Sequence, residues 1–289
     1  MRSSQPNTHK SAAKEIKEKI AAIHKLDLRE QSVDDLVPLM RELLAGHSLR
    51  CLDFDAGLLL YRGTPCEKLP HRFADVSYAP AERVKNDQRA NRAGVPMFYC
   101  SATWHPPFFE AGVKKGDQII ISRWQAREPL RIAGFSHADL CADDPHSDRE
   151  KVLRKALKQL PEPERLMTEF MTGCFTQPIK PGEEHRYRLS IALTEALGLG
   201  EKFDGLLYPS AAMNSPSHNL ALHPHCIDEQ KLVLQYVEHV SVNRVETETI
   251  DVCSLNFARG VAPGEKLHWL NKPGNWVLRE GAQANDYCL

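Results

Sequence analysis

Phe203-Asp204-Gly205-Leu206-Leu207-Tyr208-Pro209-Ser210 encloses a short apolar run between Asp204-Gly205 and Pro209-Ser210. Such a run, bounded by turn-forming residues, is the pattern of a buried strand, so Phe203 to Tyr208 reads as one. Immediately upstream, about His185 to Leu199 reads as a helix that stops at Gly198 and Gly200, residues suited to a C-terminal cap. Downstream, Pro209 to Pro224 reads as a loop, and Lys231 to Val245 mixes apolar and polar residues in the near alternation of an antiparallel strand. The last forty or so residues are rich in strand and turn signals.

Working back toward the start, Asp117 to Trp124 is a strand with the run Ile119-Ile120-Ile121 after a turn at Lys115-Gly116. Val95 to Ser101 and Leu58 to Gly63 read as two more strands, with a polar, turn-rich stretch from Tyr78 to Gly94 between them. Two amphipathic helices open the chain. Ala12 to Leu26 carries Ile16, Ile20 and Ile23 at helical spacing, and Val33 to Ala45 carries Leu36, Leu39, Met40, Leu43 and Leu44 behind Ser32 as N-cap. Between Asp139 and Pro181 helical patterns intrude among the strands, with Ser147 and Glu150 spaced as a capping box and Leu166 to Phe175 as a further short helix. The fold class is therefore α+β with a helical insertion, and the domain reading is a helical extension over 1–50 followed by one catalytic domain over 51–289, its insertion at about 139–181.

Composition bounds the function. A formal charge of −1 and a pI near 6.9 give no global attraction to nucleic acid or to an acidic membrane. Arg83, Lys85, Arg89 and Arg92 form a basic stretch, but it lacks interleaved aromatics and contains Asp87, so no nucleic acid partner is expected. No apolar run approaches membrane-spanning length, and no hydrophobic signal segment opens the sequence. Eight cysteines, among them Cys51, Cys141 and Cys288, are scattered without a Cys-x-x-Cys pair, as reduced thiols of a cytoplasmic protein would be. His223-Pro224-His225-Cys226 offers metal-capable side chains, yet no second cluster has ligand spacing, so no metal is expected.

Polar residues collect where strands end: Tyr61-Arg62-Gly63, Arg89-Ala90-Asn91-Arg92, Tyr99 to Glu110, and Asp204 to Ser210. Arginine grips a pyrophosphate with a planar, permanently charged fork that lysine cannot copy, and two arginines with a nearby glutamate suit a dinucleotide. There is no Gly-x-Gly-x-x-Gly or Walker-type loop, which argues against a recycled hydride carrier in a Rossmann site.

Read in order, Arg62, Gln88-Arg89-Ala90-Asn91, Phe98-Tyr99, Glu110, Phe203 to Ala212 and Asn219-Leu220-Ala221-Leu222 resemble the motifs of the RES family, from about Leu58 to His223. Three departures stand out, one of them being two long helical regions that are extra. Gln88 replaces the glycine expected before Arg89, and Pro106-Pro107-Phe108-Phe109 replaces small and aliphatic residues before Glu110. The resemblance implies a twisted β core like that of ADP-ribosyltransferases, and NAD as a substrate that is degraded by hydrolysis or phosphorolysis rather than a cofactor. It also implies a toxin neutralised by a cognate antitoxin. Within it, Glu110 stabilises positive charge developing on the ribose or holds a ribose hydroxyl. Arg62 and Arg89 hold the pyrophosphate and adjoining ribose, Tyr99 flanks the nicotinamide ring with its hydroxyl available, and Tyr61 and Asn91 complete the pocket. Ser210 donates to the nicotinamide ribose or carboxamide, and Asn219 orients Ser210 or the ligand. Two alternatives stay open: an ADP-ribosyltransferase acting on a protein target, and a nucleotide- or partner-binding module without turnover. The apolar faces of the N-terminal helices must be covered by the chain's own core or by a second subunit, which makes a homodimer one of two outcomes.

Overall fold

In a computed structural model of the chain, residues 5–46, 50–134, 158–210, 218–246, 249–259 and 264–279 are described. The expected capping box at Ser147 and Glu150, the helical pattern from Val152, and Cys141 and Cys288 lie outside them. The six described cysteines are free thiols.

Helix α1 spans Gln5–His24 and α2 spans Val33–Leu44. At the start of α2 the Ser32 hydroxyl accepts the Asp35 N–H while Asp35 accepts the Ser32 N–H, closing a reciprocal cap. Strands β1 (Arg50–Phe54) and β2 (Leu59–Pro65), the short helix α3 (Phe73–Val76), strand β3 (Phe98–Ser101) and helix α4 (Pro106–Glu110) follow. Next come β4 (Gln118–Ala126), β5 (Leu130–Gly134), helix α5 (Glu162–Thr176) and helix α6 (Arg188–Leu197). The chain continues through β6 (Gly205–Pro209), β7 (His218–Leu222), β8 (Leu232–Val245), β9 (Thr249–Arg259) and β10 (Trp269–Arg279).

The strands form one ten-stranded sheet in the order β1-β5-β6-β7-β3-β2-β4-β8-β9-β10. Its pairs are antiparallel except β5 with β6. The molecule is thus mixed α+β, with N-terminal helices and a helical insertion. Several elements differ from the sequence reading. β1 and β5 were not expected, β7 occupies part of the stretch read as a loop from Pro209 to Pro224, and the helix read over His185 to Leu199 is a 3-10 turn at Glu184–Tyr187 leading into α6. Gly198 ends α6 at φ 73°, the left-handed conformation that a glycine cap adopts without strain.

Period two along the central strands sorts their side chains between two cores. Leu206, Tyr208 and Ala221 turn to the helical side, where they share a buried cluster with Ile16, Met40, Phe175 and Ile191. Leu207, Leu220 and Leu222 turn to the other side, joining Phe98, Trp124 and Ile132. A third cluster, with Phe108, Ile119, Ile121, Val240 and Val252, lies where α4 and the β4, β8 and β9 strands meet.

The N-terminal helices cover their apolar faces on their own chain, α1 against α5 and α2 against α6. Polar ties fix them there. Arg188 donates to the carbonyls of Leu28 and Gln31, each at 2.7 Å, and Arg92 binds both Glu195 of α6 and Asp34 of α2. No helix among the described residues is long and apolar enough to cross a membrane.

Candidate active site

Strand register lays Tyr61, Ser101, Asn219 and Tyr208 side by side across β2, β3, β7 and β6. All four line a cleft of about 290 Å³, whose wall also includes Arg62, Arg89, Tyr99 and Glu110. The sheet therefore gathers residues more than a hundred positions apart into one row.

Glu110 is the last residue of α4, which begins with Pro106 and Pro107. Proline suits the first turn of a helix, where its missing N–H and fixed φ cost nothing, so the Pro-Pro departure builds the element that aims this carboxylate. The carboxylate Oε1 accepts hydrogen bonds from Asn219 Nδ2 at 2.6 Å and from the Ser210 hydroxyl. Ser210 is fully buried and Asn219 is buried, whereas Glu110 itself is exposed. Two donors on one oxygen fix the carboxylate rotamer. The Ser210 hydroxyl, expected to donate to a ligand, is directed at Glu110 instead.

Arg62 is held deep in the cleft. Its Nη1 donates to the Tyr99 carbonyl at 3.0 Å, its guanidinium lies 5.4 Å from the Phe98 ring centre, and its Nε is buried with no hydrogen-bond partner. Burial lowers its proton affinity, yet arginine keeps its charge at any physiological pH. Arg89 is anchored differently. Its Nη1 donates to the carbonyls of Phe175 and Gln177 at the end of α5, where the helix dipole is negative, and its guanidinium packs 5.3 Å from the Tyr187 ring.

Tyr99 lines the cleft, but its hydroxyl is engaged: it donates to Asn91 Oδ1 and accepts the Ala90 N–H at 3.0 Å. Burial pushes this phenol's pKa up. Asn91 is buried and is not part of the cleft wall. Its amide donates to the carbonyls of Val95 and Arg92. The pair thus shapes the turn that carries Arg89, rather than offering a free hydroxyl and amide to a ligand. Gln88, where the motif led us to expect glycine, closes the same turn through its N–H to the Asn91 carbonyl at 2.8 Å. Among the described residues Gln230 is the one non-glycine with positive φ, so the turn at Gln88 needs no glycine.

Cleft residues outside the expected set include Gly63, Ser101, Pro107 and Tyr208. Gly63 and Tyr208 sit inside the motifs quoted above. Ser101 and Pro107 lie in the stretch from Tyr99 to Glu110 without a motif that gives them a role, and strand pairing and helix packing bring them in.

The metal-capable residues lie at the other end of β6 and β7. Asp204 Oδ1, His225 Nε2 and Cys226 Sγ are within 4.8 Å of one another. Asp204 Oδ1 is occupied by His225 Nε2 at 2.7 Å and Lys231 Nζ at 3.1 Å, while Oδ2 accepts the Arg131 N–H. Burial works to raise the Asp204 pKa, but these bonds outweigh it and hold the carboxyl below its ordinary value. Cys226 is buried, which pushes its thiol up to about 12. The group joins β5, β6 and β8 rather than facing the cleft.

A family model described as RES domain matches residues 59–244. That span contains every residue of the cleft. No curated protein and no solved structure matches the chain.

Proposed function

Because the chain belongs to the RES domain family, we propose that it is an enzyme that consumes NAD by breaking the bond between nicotinamide and ribose. The observation that carries this reading is the Glu110 carboxylate, pinned through Oε1 by Ser210 and Asn219 at the mouth of a cleft that also holds Arg62 and Arg89.

Loss of nicotinamide leaves positive charge on the ribose, as in glycoside cleavage. A carboxylate already oriented toward that charge stabilises it without reorganising at the moment of reaction. With Oε1 taken by two donors, Oε2 is the oxygen left to face the sugar or one of its hydroxyls. Ser210 and Asn219 thus act as positioning residues, and Arg62 supplies a half-buried positive charge for the diphosphate. Water as acceptor gives ADP-ribose, and phosphate gives its phosphorylated counterpart. We further propose the role of a toxin held in check by an antitoxin protein, by analogy with the family.

The test is NAD consumption by the purified chain, with and without phosphate, with products separated by chromatography. Nicotinamide release is expected, and Glu110→Gln is expected to lower it about 10²- to 10³-fold, the scale of removing one preorganised electrostatic group. Full turnover in Glu110→Gln refutes the role given to this carboxylate. If nicotinamide is released only when an acceptor protein is added and a radiolabelled ADP-ribose group appears on that protein, the chain is a transferase, and binding without any product makes it a binding module.

A further inference from the structure

A second cavity, of about 580 Å³, adjoins the first. Pro65 lines both, and the residues before it divide between them, Gly63 facing the first and Thr64 the second. The second cavity is walled by Lys68, His71, Arg72, Arg83 and Lys266. Asp75 is the one carboxylate in its wall among the described residues. That carboxylate is already engaged: Oδ2 accepts the N–H groups of His71 and Arg72, and Oδ1 takes the Arg72 side chain at 3.3 Å. Lys68, Arg83 and Lys266 form no ion pair with a described carboxylate.

The walls are fixed rather than loose. Arg72 and Lys266 form a backbone bridge, the Leu267 N–H donates to the His71 carbonyl at 2.8 Å, and the Trp269 indole donates to the Pro70 carbonyl at 2.7 Å. A chain whose formal charge is only −1 has thus gathered four permanent cations around one hollow beside its catalytic cleft. Concentrated charge of one sign in a concave wall focuses the field on whatever enters.

The first cavity is at the small end of the range of roughly 300–1,000 Å³ for ligand pockets, room for one half of a dinucleotide rather than both. The other half has to extend out of it, and Pro65, on its wall, also lines the basic hollow. We propose that this hollow binds a phosphate group, and that the chain takes the dinucleotide carrying an additional phosphate on its adenosine ribose, NADP, in preference to NAD. The inference rests on reading the main cleft as the site of the nicotinamide half. Lysine and arginine fit this task, since a phosphate monoester dianion needs several donors and no acceptor.

Equilibrium binding of NADP and NAD to the full chain carrying Glu110→Gln, which suppresses turnover, reads the hollow directly. NADP is expected to bind about tenfold more tightly at low salt, with the preference shrinking as salt rises, because the contacts are solvent-exposed. A Lys68→Ala/Lys266→Ala double variant is expected to abolish the preference and leave NAD affinity unchanged. Equal affinity for the two dinucleotides, a preference that survives the double substitution, or no binding of either overturns the proposal. Turnover by the unsubstituted chain separates the two readings. Cleavage of NAD with no NADP preference keeps the catalytic assignment and removes this one. Lysine-dependent NADP preference without cleavage of either dinucleotide keeps this one and removes the reaction.

Discussion

Gly63→Ala introduces a single methyl group, and its consequence can be worked from the packing around β2. A Cβ built on Gly63 lies 2.6 Å from Pro107 Cβ, 3.1 Å from Ile119 Cδ1 and 3.2 Å from the Pro107 carbonyl oxygen. Carbon atoms rest about 3.5–4.0 Å apart, so α4 must retreat by roughly 1 Å from β2. Pro107 cannot rotate out of the way, since its ring fixes φ and it belongs to the first turn of the helix. Overpacking of this kind costs about 1–3 kcal/mol of stability. The same retreat carries Glu110, one turn further along α4, away from Ser210 Oγ and Asn219 Nδ2, and a misplacement of about 1 Å at a reacting group lowers turnover by about 10²-fold. Nicotinamide release and denaturant unfolding of the variant measure the two effects. Unfolding stability within about 0.5 kcal/mol of the parent together with full turnover would show that α4 is not the element that positions the carboxylate.

Gly173→Ala, by contrast, places its methyl in open space inside α5 and is expected to raise stability by up to about 1 kcal/mol without touching turnover, as thermal melts and rate assays will show. Asn219→Asp sets a second carboxylate against Glu110 in place of a donor. Losing that donor frees the Glu110 rotamer and adds like-charge repulsion, so nicotinamide release is expected to fall, and an unchanged rate removes Asn219 from the positioning of the carboxylate. Burial holds His105 at a pKa of about 4, below its ordinary 6.5, and its Nδ1 has no hydrogen-bond partner. The unfolded chain therefore takes up a proton that the folded chain refuses: stability is full above about 6.5 and falls as pH drops toward 4, by roughly 3 kcal/mol in all. His105→Phe is expected to flatten that part of the curve, read by denaturant midpoints across pH.

Strong periodicity made much of the fold legible. The apolar stripes of α1 and α2, the Ser32 cap, the isoleucine run of β4 and the Gly198 terminus all follow from residues near one another in sequence. What escaped was short or mixed. β1, Arg-Cys-Leu-Asp-Phe, mixes charged and apolar residues without alternation at the edge of the sheet, and β7 begins with His218-Asn219 amid a run of turn-forming residues; each is a strand because a partner strand binds it. At the site, the order of motifs grouped Glu110, Arg62, Ser210 and Asn219, and the fold sets Ser210 and Asn219 on Glu110 at the cleft that Arg62 also lines, but roles were harder to read. A tyrosine hydroxyl and an asparagine amide serve equally well to bind a ligand or to lock a turn, and only the three-dimensional pairing of Tyr99 with Asn91 distinguishes these uses.

The β5–β6 pair, parallel in an otherwise antiparallel sheet, bears on how this chain can vary. Two neighbouring strands that point the same way cannot be joined by a hairpin. The chain leaving Gly134 must travel back along the sheet before entering β6 at Gly205, and α5 and α6 lie on that return path. Antiparallel neighbours elsewhere in the sheet can be joined by short turns, but here a minimum length is imposed by topology, whatever residues fill it. Variation between these strands has to keep that length and also the end of α5 that holds Arg89. No variant can join Gly134 to Gly205 by a tight turn without reversing β6 and, with it, carrying Ser210 to the wrong end of the sheet.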